Sequence, residues 1–286
     1  MEPKIERICE DVVFGEGPHW DISRQCLYFV DVVSKTINRY VPATNSVYKA
    51  YFDTYPSFII PVEGEKMKFV LGFEKNISVV MWDGEKYRLN DGKCDASGRL
   101  WTGSTVHKLA GVAEKLGSIF SLAKDMAKDH GGEVTCSNGL AWSKDNKVFF
   151  HVDSLKKIVE RFDFDIATGN ITNRTVFFSY DKHNLEGYPD GMVIDEDENL
   201  WIASFLGNKI IKINSKEPET LLTTIELPAK QVTSMAWGGK NLDELYVTTG
   251  RNAFQGDGLE PPIHGSIYKI SGLGTKGYPM VNFRMA

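Results

Sequence analysis

The chain has 286 residues, 42% of them hydrophobic and 25% charged, with a formal net charge of −5. That is enough chain to bury a full core and an ordinary composition for a globular protein, while the charge argues against nucleic acid or an anionic membrane as a partner. No apolar run approaches the roughly 20 residues that cross a bilayer. The opening "MEPKIERICEDV" is too charged for a secretory signal, and Cys9, Cys26, Cys94 and Cys136 contain no CxxC pair, so reduced structural thiols and a cytoplasmic location are expected.

Taken in order, the elements are almost all short strands rich in Val, Ile, Phe, Tyr and Trp, separated by polar turn clusters. "GEGPHWDISRQCLYFVD" reads as a hairpin with Glu16 five positions before its first turn residue, Asp21. "SFIIPVEGEKMKFVLG" is a degenerate copy with Ser57 five before Val62, and "NDGKCDASGRLWTGS" places Asn90 five before Asp95. The one plausible helix is a short stretch, "GVAEKL", over 111–116. "SNGLAWSKDNKVFFHVDS" then sets Asn138 five before Ser143, "PDGMVIDEDENLWIAS" sets Asp190 five before Asp195, and "TSMAWGGKNLDELYVTT" sets Thr233 five before Gly238. The acidic cluster at Asp195, Asp197 and Asn199 opens like a calcium loop. Its sixth position, however, is Leu200 where Gly is needed, and its twelfth is Leu206 where Glu is needed, so it is a hairpin turn.

Six copies in 286 residues amount to about 48 residues each, the size of a four-stranded propeller blade. Only 33 residues separate Ser57 from Asn90, so that blade must have trimmed loops. The reading is all-β: one domain over 1–286, a six-bladed β-propeller with a metal site in its central channel. Equivalent positions of six blades converge on one ring, here Glu16, Ser57, Asn90, Asn138, Asp190 and Thr233. Gly17, Gly139 and Gly191 follow three of them directly, as a crowded axis requires.

A ring holding two carboxylates, two amides and no Lys would repel itself and lose hydration unless a cation sat among them. Oxygen donors select a hard ion, Ca²⁺ first, with Mg²⁺ or Mn²⁺ as alternatives. Three or four protein oxygens leave a calcium shell of about 6–8 ligands incomplete, open to water or substrate. Arg88 stands two residues before Asn90 and shares its face if the segment is extended. There it could meet hydroxyl-rich or anionic substrates. A plain solvated channel mouth, with Arg88 on the surface, is the alternative.

"GEGPHW", "RLNDGK", "SNGLAW", "DGMVIDEDENLW" and "SGLGTKGY", in this order over nearly the whole chain, resemble the regucalcin (senescence marker protein), gluconolactonase and luciferin-regenerating enzyme family, with a lean toward its insect members. The resemblance implies one divalent cation held by Glu16, Asn138 and Asp190, substrate contacts from Arg88 and Asn90, and Asp190 as general base. It implies hydrolysis of sugar lactones, a small-molecule substrate and no nucleic-acid or membrane partner. Two departures bear on the aldonolactone preference and leave the metal ligands intact. The segment before "RLNDGK" is short, and "TVHKLAG" stands where vertebrate relatives carry acidic residues. Luciferin-regenerating activity, or a calcium-binding protein without turnover, shares the scaffold. A WD-type interaction propeller would need no charged ring.

Other motifs carry less. "GLGTKG" has GxGxxG spacing but fewer than ten residues after it, too few for a dinucleotide fold. No histidine pair has metal-binding spacing and no GxSxG elbow is present. His151 reads as a hydrogen-bonded core residue, whereas His19, beside the ring, is a candidate to meet substrate. Asp31 and Asp153 are expected to bond loop amides, and Cys94 and Cys136 to be structural.

Overall fold

A computed structural model describes residues 2–285 except 67, 74, 75, 78, 79, 82–86, 107–116, 125 and 252–258. The helix expected over 111–116 therefore lies outside the described residues, as does His107. The side chains of 76, 77, 80, 81, 87, 88 and 106 lie outside them too. No helix among the described residues is long and apolar enough to cross a membrane.

The fold is all-β. Its strands are β1 (Lys4–Cys9), β2 (Gly15–Asp21), β3 (Cys26–Asp31), β4 (Thr36–Val41), β5 (Ser46–Tyr51), β6 (Pro56–Pro61), β7 (Phe69–Phe73), β8 (Asn76–Ile77), β9 (Val80–Met81), β10 (Tyr87–Cys94), β11 (Leu100–Val106) and β12 (Ile119–Ala123). They continue as β13 (Met126–Asp129), β14 (Ser137–Trp142), β15 (Val148–Asp153), β16 (Ile158–Asp165), β17 (Asn170–Ser179), β18 (Tyr188–Ile194), β19 (Asn199–Phe205), β20 (Lys209–Asn214), β21 (Leu221–Glu226), β22 (Gln231–Gly238), β23 (Glu244–Gly250) and β24 (Ile267–Ser271).

Four sheets are antiparallel meanders of four strands: β2–β5, β6–β9, β10–β13 and β14–β17. A fifth sheet joins two further groups of four, β18–β21 and β22–β24 with β1, through the single pair Phe205–Gln231. The first strand of the chain thus pairs with the last, Lys4 opposite Ser271.

Among the described residues six apolar clusters hold the groups together, each drawing side chains from two groups. Tyr28 and Val30 meet Ile59; Phe58 and Ile60 meet Leu100 and Phe120; Trp101 meets Leu140 and Phe149. Phe150 and Phe178 meet Met192 and Ile202, and Trp201 and Ile210 meet Met235 and Val247. The sixth brings Ala236 and Tyr246 back to Trp20 and Phe29. Each large side chain so buried contributes about 1.5–3 kcal/mol, so these clusters tie neighbouring groups of strands together.

The hairpin turns explain the sequence spacing. Asp95 accepts from Ser97 N at 2.9 Å and Arg99 N at 3.2 Å, then from Trp101 Nε1 at 2.8 Å. Asp195 repeats this with Asn199 N at 2.7 Å and Trp201 Nε1 at 2.9 Å. In both turns a buried carboxylate closes the turn and fixes the indole six residues on. The acidic cluster is thus a hairpin turn, as the sequence predicts.

Candidate functional site

Each group opens with a strand that carries one extra residue relative to its partner. In β2, Glu16 opposes Val30 and His19 opposes Tyr28, three steps against two. The same slip falls between Leu89 and Gly92 in β10, Ser137 and Leu140 in β14, and Pro189 and Met192 in β18. In β6 it spans Ser57 and in β22 it spans Thr233. A bulge leaves a residue without a ladder partner and re-aims its side chain. The polar positions picked out by spacing sit within or at the edge of these six bulges. They lie inside the opening strands.

The bulged segments touch in succession. Gly17, at φ 51°, lies so close to β6 that an added Cβ would meet Phe58 Cα at 2.8 Å, and one on Gly92 would meet the same ring at 2.7 Å. Asn90 Nδ2 donates to Ser137 O at 2.8 Å. A Cβ on Gly139 would meet Asp190 O at 2.7 Å, and one on Gly191 would meet Ser234 Cα at 2.7 Å. Thr233 Oγ1 donates to Gly15 O at 2.6 Å, which returns the sequence of contacts to β2.

Within this belt Asn138 and Asp190 are each 5% exposed, while Glu16 and Asn90 are half-buried. Asn138 Nδ2 donates to Ser154 Oγ at 2.9 Å, and Ser154 Oγ donates to Pro189 O at 2.6 Å. One hydroxyl therefore ties the Asn138 amide to the backbone next to Asp190. With its Nδ2 engaged there, Asn138 Oδ1 is buried with no hydrogen-bond partner. Such an acceptor costs about 1–3 kcal/mol if left unmet, and it suits a cation. The carboxylates of Glu16 and Asp190 and the amide oxygen of Asn138 are hard donors of the kind a Ca²⁺- or Mg²⁺-type ion takes. Among the described residues no group of three His, Cys, Asp or Glu forms a metal cluster. Arg88 is paired through its backbone with Thr105, and its side chain lies outside the described residues.

Several residues near the belt escaped the sequence reading. Asp91 shares the β10 bulge with Asn90 and is 7% exposed; its Oδ1 accepts from Gly92 N at 2.8 Å. Burial raises its pKa against the pull of Lys93, the Gly92 amide and His151. Ser137 Oγ and His151 Nε2 are 2.9 Å apart, and His151 Nδ1 lies 3.2 Å from Glu160 Oε2. Burial pushes the Glu160 pKa up, but the bonds and charges of His151 and Arg174 outweigh it and hold the group below its ordinary value. Ser137 is fully buried, so this relay braces the carbonyl that receives Asn90 and offers no nucleophile. The alternation of His151 with apolar neighbours predicts its core role; no local signal gives its partners.

One expectation is corrected. His19 does not face the belt: it is 2% exposed, and its Nε2 lies 3.0 Å from Asn282 Oδ1 in the C-terminal tail. Burial pushes its pKa down to about 4. The loop-amide roles of Asp31 and Asp153 hold. Asp31 accepts from Val13 N at 2.8 Å and Phe14 N at 3.0 Å, and Asp153 from Thr135 N and Cys136 N at 3.0 Å each. The four cysteines are free thiols.

Comparison with known proteins places the chain in a family. Residues 14–251 match the family model described as the SMP-30/Gluconolactonase/LRE-like region. Regucalcin of Macaca fascicularis is 36% identical over 291 residues, covering 96% of each chain. A solved luciferin-regenerating enzyme superposes with a TM-score of 0.92 at 39% identity, over 99% of this chain and all of that one. Regucalcin of Agrobacterium tumefaciens, described as a calcium-binding protein, superposes at 0.85 with 21% identity over 97% and 96% of the two chains. On the strength of the family match and of end-to-end relatives above one-third identity, the chain belongs to the SMP-30/gluconolactonase/luciferin-regenerating enzyme-like family.

Proposed function

We propose that the six groups are the blades of a single propeller domain, that Glu16, Asn138 and Asp190 hold one divalent cation in its channel, and that the protein hydrolyses a lactone there. The observation that carries this reading is the buried, acceptor-only Asn138 Oδ1, held in a bulge next to Asp190 with its own amide nitrogen already engaged. Family membership and the gluconolactonase in the family's name support the reaction class.

When bound, the cation would polarise the lactone carbonyl and stabilise the negative charge that develops there. Asp190 takes the proton of the attacking water. Asn90, fixed by its bond to Ser137 O, orients the ring hydroxyls with its Oδ1, and Arg88 supplies donors to the same substrate. Holding a cation keeps Asp190 ionised and weakens it as a base, so its two roles compete. The free thiols support a reducing, cytoplasmic setting.

The test is a panel of lactones, thioesters and organophosphates assayed with and without chelator. Turnover of a lactone that chelator abolishes and Ca²⁺, Mg²⁺ or Mn²⁺ restores is the expected result; metal binding without turnover of any substrate would leave a calcium-binding protein instead. A luciferin-regenerating role has a specific observation in its favour, the overlap with that enzyme along the whole chain. It would require activity on benzothiazole nitriles with D-cysteine.

A further inference from the structure

The opening strands have a second end, beyond the bulges, and a cavity of about 280 Å³ lies there. Lys93, three residues past Asn90 and so roughly 10 Å along an extended strand, forms part of its wall. So do Leu140, Trp142, Val193 and Trp237 from three other opening strands, and Tyr278 to Val281 from the C-terminal tail. The tail is a built wall. Gly277 N donates to Leu242 O at 2.9 Å, Trp20 N lies 3.3 Å from Met280 Sδ, and Phe283 N donates to Pro61 O at 2.9 Å.

The electrostatics of this cavity are one-sided. The charged side chains in its wall are Lys93 and, at the rim, exposed Lys144; no carboxylate lines it among the described residues. The Lys93 ammonium donates to Leu140 O at 2.9 Å and Met192 O at 2.6 Å; burial pushes its pKa down to about 8 against the pull of Asp91, which stands in the bulge and not in the cavity wall. An ammonium has three protons to give, and two are spent on carbonyls. Trp142 and Trp237, both in the wall, have buried indole N–H groups with no acceptor. The unmet polar demand of the wall is therefore for an acceptor, in a protein whose net charge is negative.

We propose that this basal cavity is a second ligand site, distinct from the bulged belt, which takes a small monocarboxylate with a compact apolar body. The carboxylate meets the remaining proton of Lys93, and the body lies against Leu140, Val193, Trp237 and Met280. The site needs no metal and does not depend on the lactonase reading.

Isothermal titration with phenylacetate as probe, in excess EDTA so that no cation can hold the carboxylate at the other end, tests this directly. One saturable site is expected, with the neutral isostere phenylacetamide at least tenfold weaker. Val281→Phe, which fills the cavity from the partly exposed tail, should weaken both ligands at least tenfold. Lys93→Met should remove the preference for the acid while keeping residual binding of the amide. Absence of saturable binding, equal affinity for acid and amide, or indifference to Val281→Phe would overturn the proposal. The Val281 variant keeps the test decisive if Lys93→Met fails to fold.

Discussion

The two ends of the same six opening strands differ in backbone before they differ in chemistry. At the bulged end the ladder slips by one residue in every strand, and polar side chains at Ser57, Asn90, Asn138, Asp190 and Thr233 fall within the slip. At the basal end the ladder is regular, the neighbours of Leu140, Val193 and Trp237 are apolar, and the tail covers them. An unbroken strand would bury its polar side chains or expose its apolar ones. One inserted residue per strand lets a single run of chain serve an acidic belt and an apolar wall within a few residues.

The largest effect expected from breaking this contrast is at Asp190. Asp190→Ala should lower metal-dependent lactone turnover by about 10²–10⁴-fold, the range for losing a general base. Near-full turnover, read by a pH-stat assay, would remove Asp190 from the mechanism.

At the opposite end His19 should matter for stability and not for turnover. Its pKa falls from 6.5 to about 4 on folding because burial disfavours the charged form. The unfolded chain binds the extra proton between those values, so stability is full above pH 6.5 and declines as pH drops toward 4, by up to about 3 kcal/mol. Denaturant melts of wild type and His19→Gln across that window should show a shallower decline in the variant, with kcat unchanged at pH 7.5. Parallel declines would mean His19 is not buried neutral.

Gly139→Ala sharpens the comparison from the bulge side. The new methyl would meet Met192 Cβ at 2.5 Å and the Met192 N and Asp190 O backbone atoms at 2.7 Å. Backbone yields little, so a loss of about 1–3 kcal/mol is expected, with weakened metal affinity. A melt that superposes on wild type would show the bulged strands to be farther apart.

The smallest effect is expected at Ser154→Ala. This substitution frees the Asn138 amide without touching a proposed ligand, and calcium affinity should fall about tenfold, as when an outer partner of a metal ligand is lost. Unchanged affinity would show that Ser154 does not orient Asn138.

How much of this was legible depended on how far apart the interacting residues lie. The turn at Asp95 and its partner Trp101 are six residues apart, and such local hairpins recur with a spacing that reveals the polar positions. The bulges are invisible to a reading by alternation, which assumes that every residue has a ladder partner. Asp91 was missed for that reason although it stands beside Asn90. His19 was misplaced because its partner, Asn282, returns 263 residues later. Lys93 was overlooked because its acceptors are backbone carbonyls in two other groups, and no residue type announces a carbonyl.

The most direct test of the central claim is a crystal of the protein grown with Mn²⁺ and measured near the manganese absorption edge. The account predicts one strong anomalous peak within about 2.0–2.6 Å of oxygens from Glu16, Asn138 and Asp190 together. A peak held by other residues, or the three side chains lying too far apart to share one ion, would contradict it.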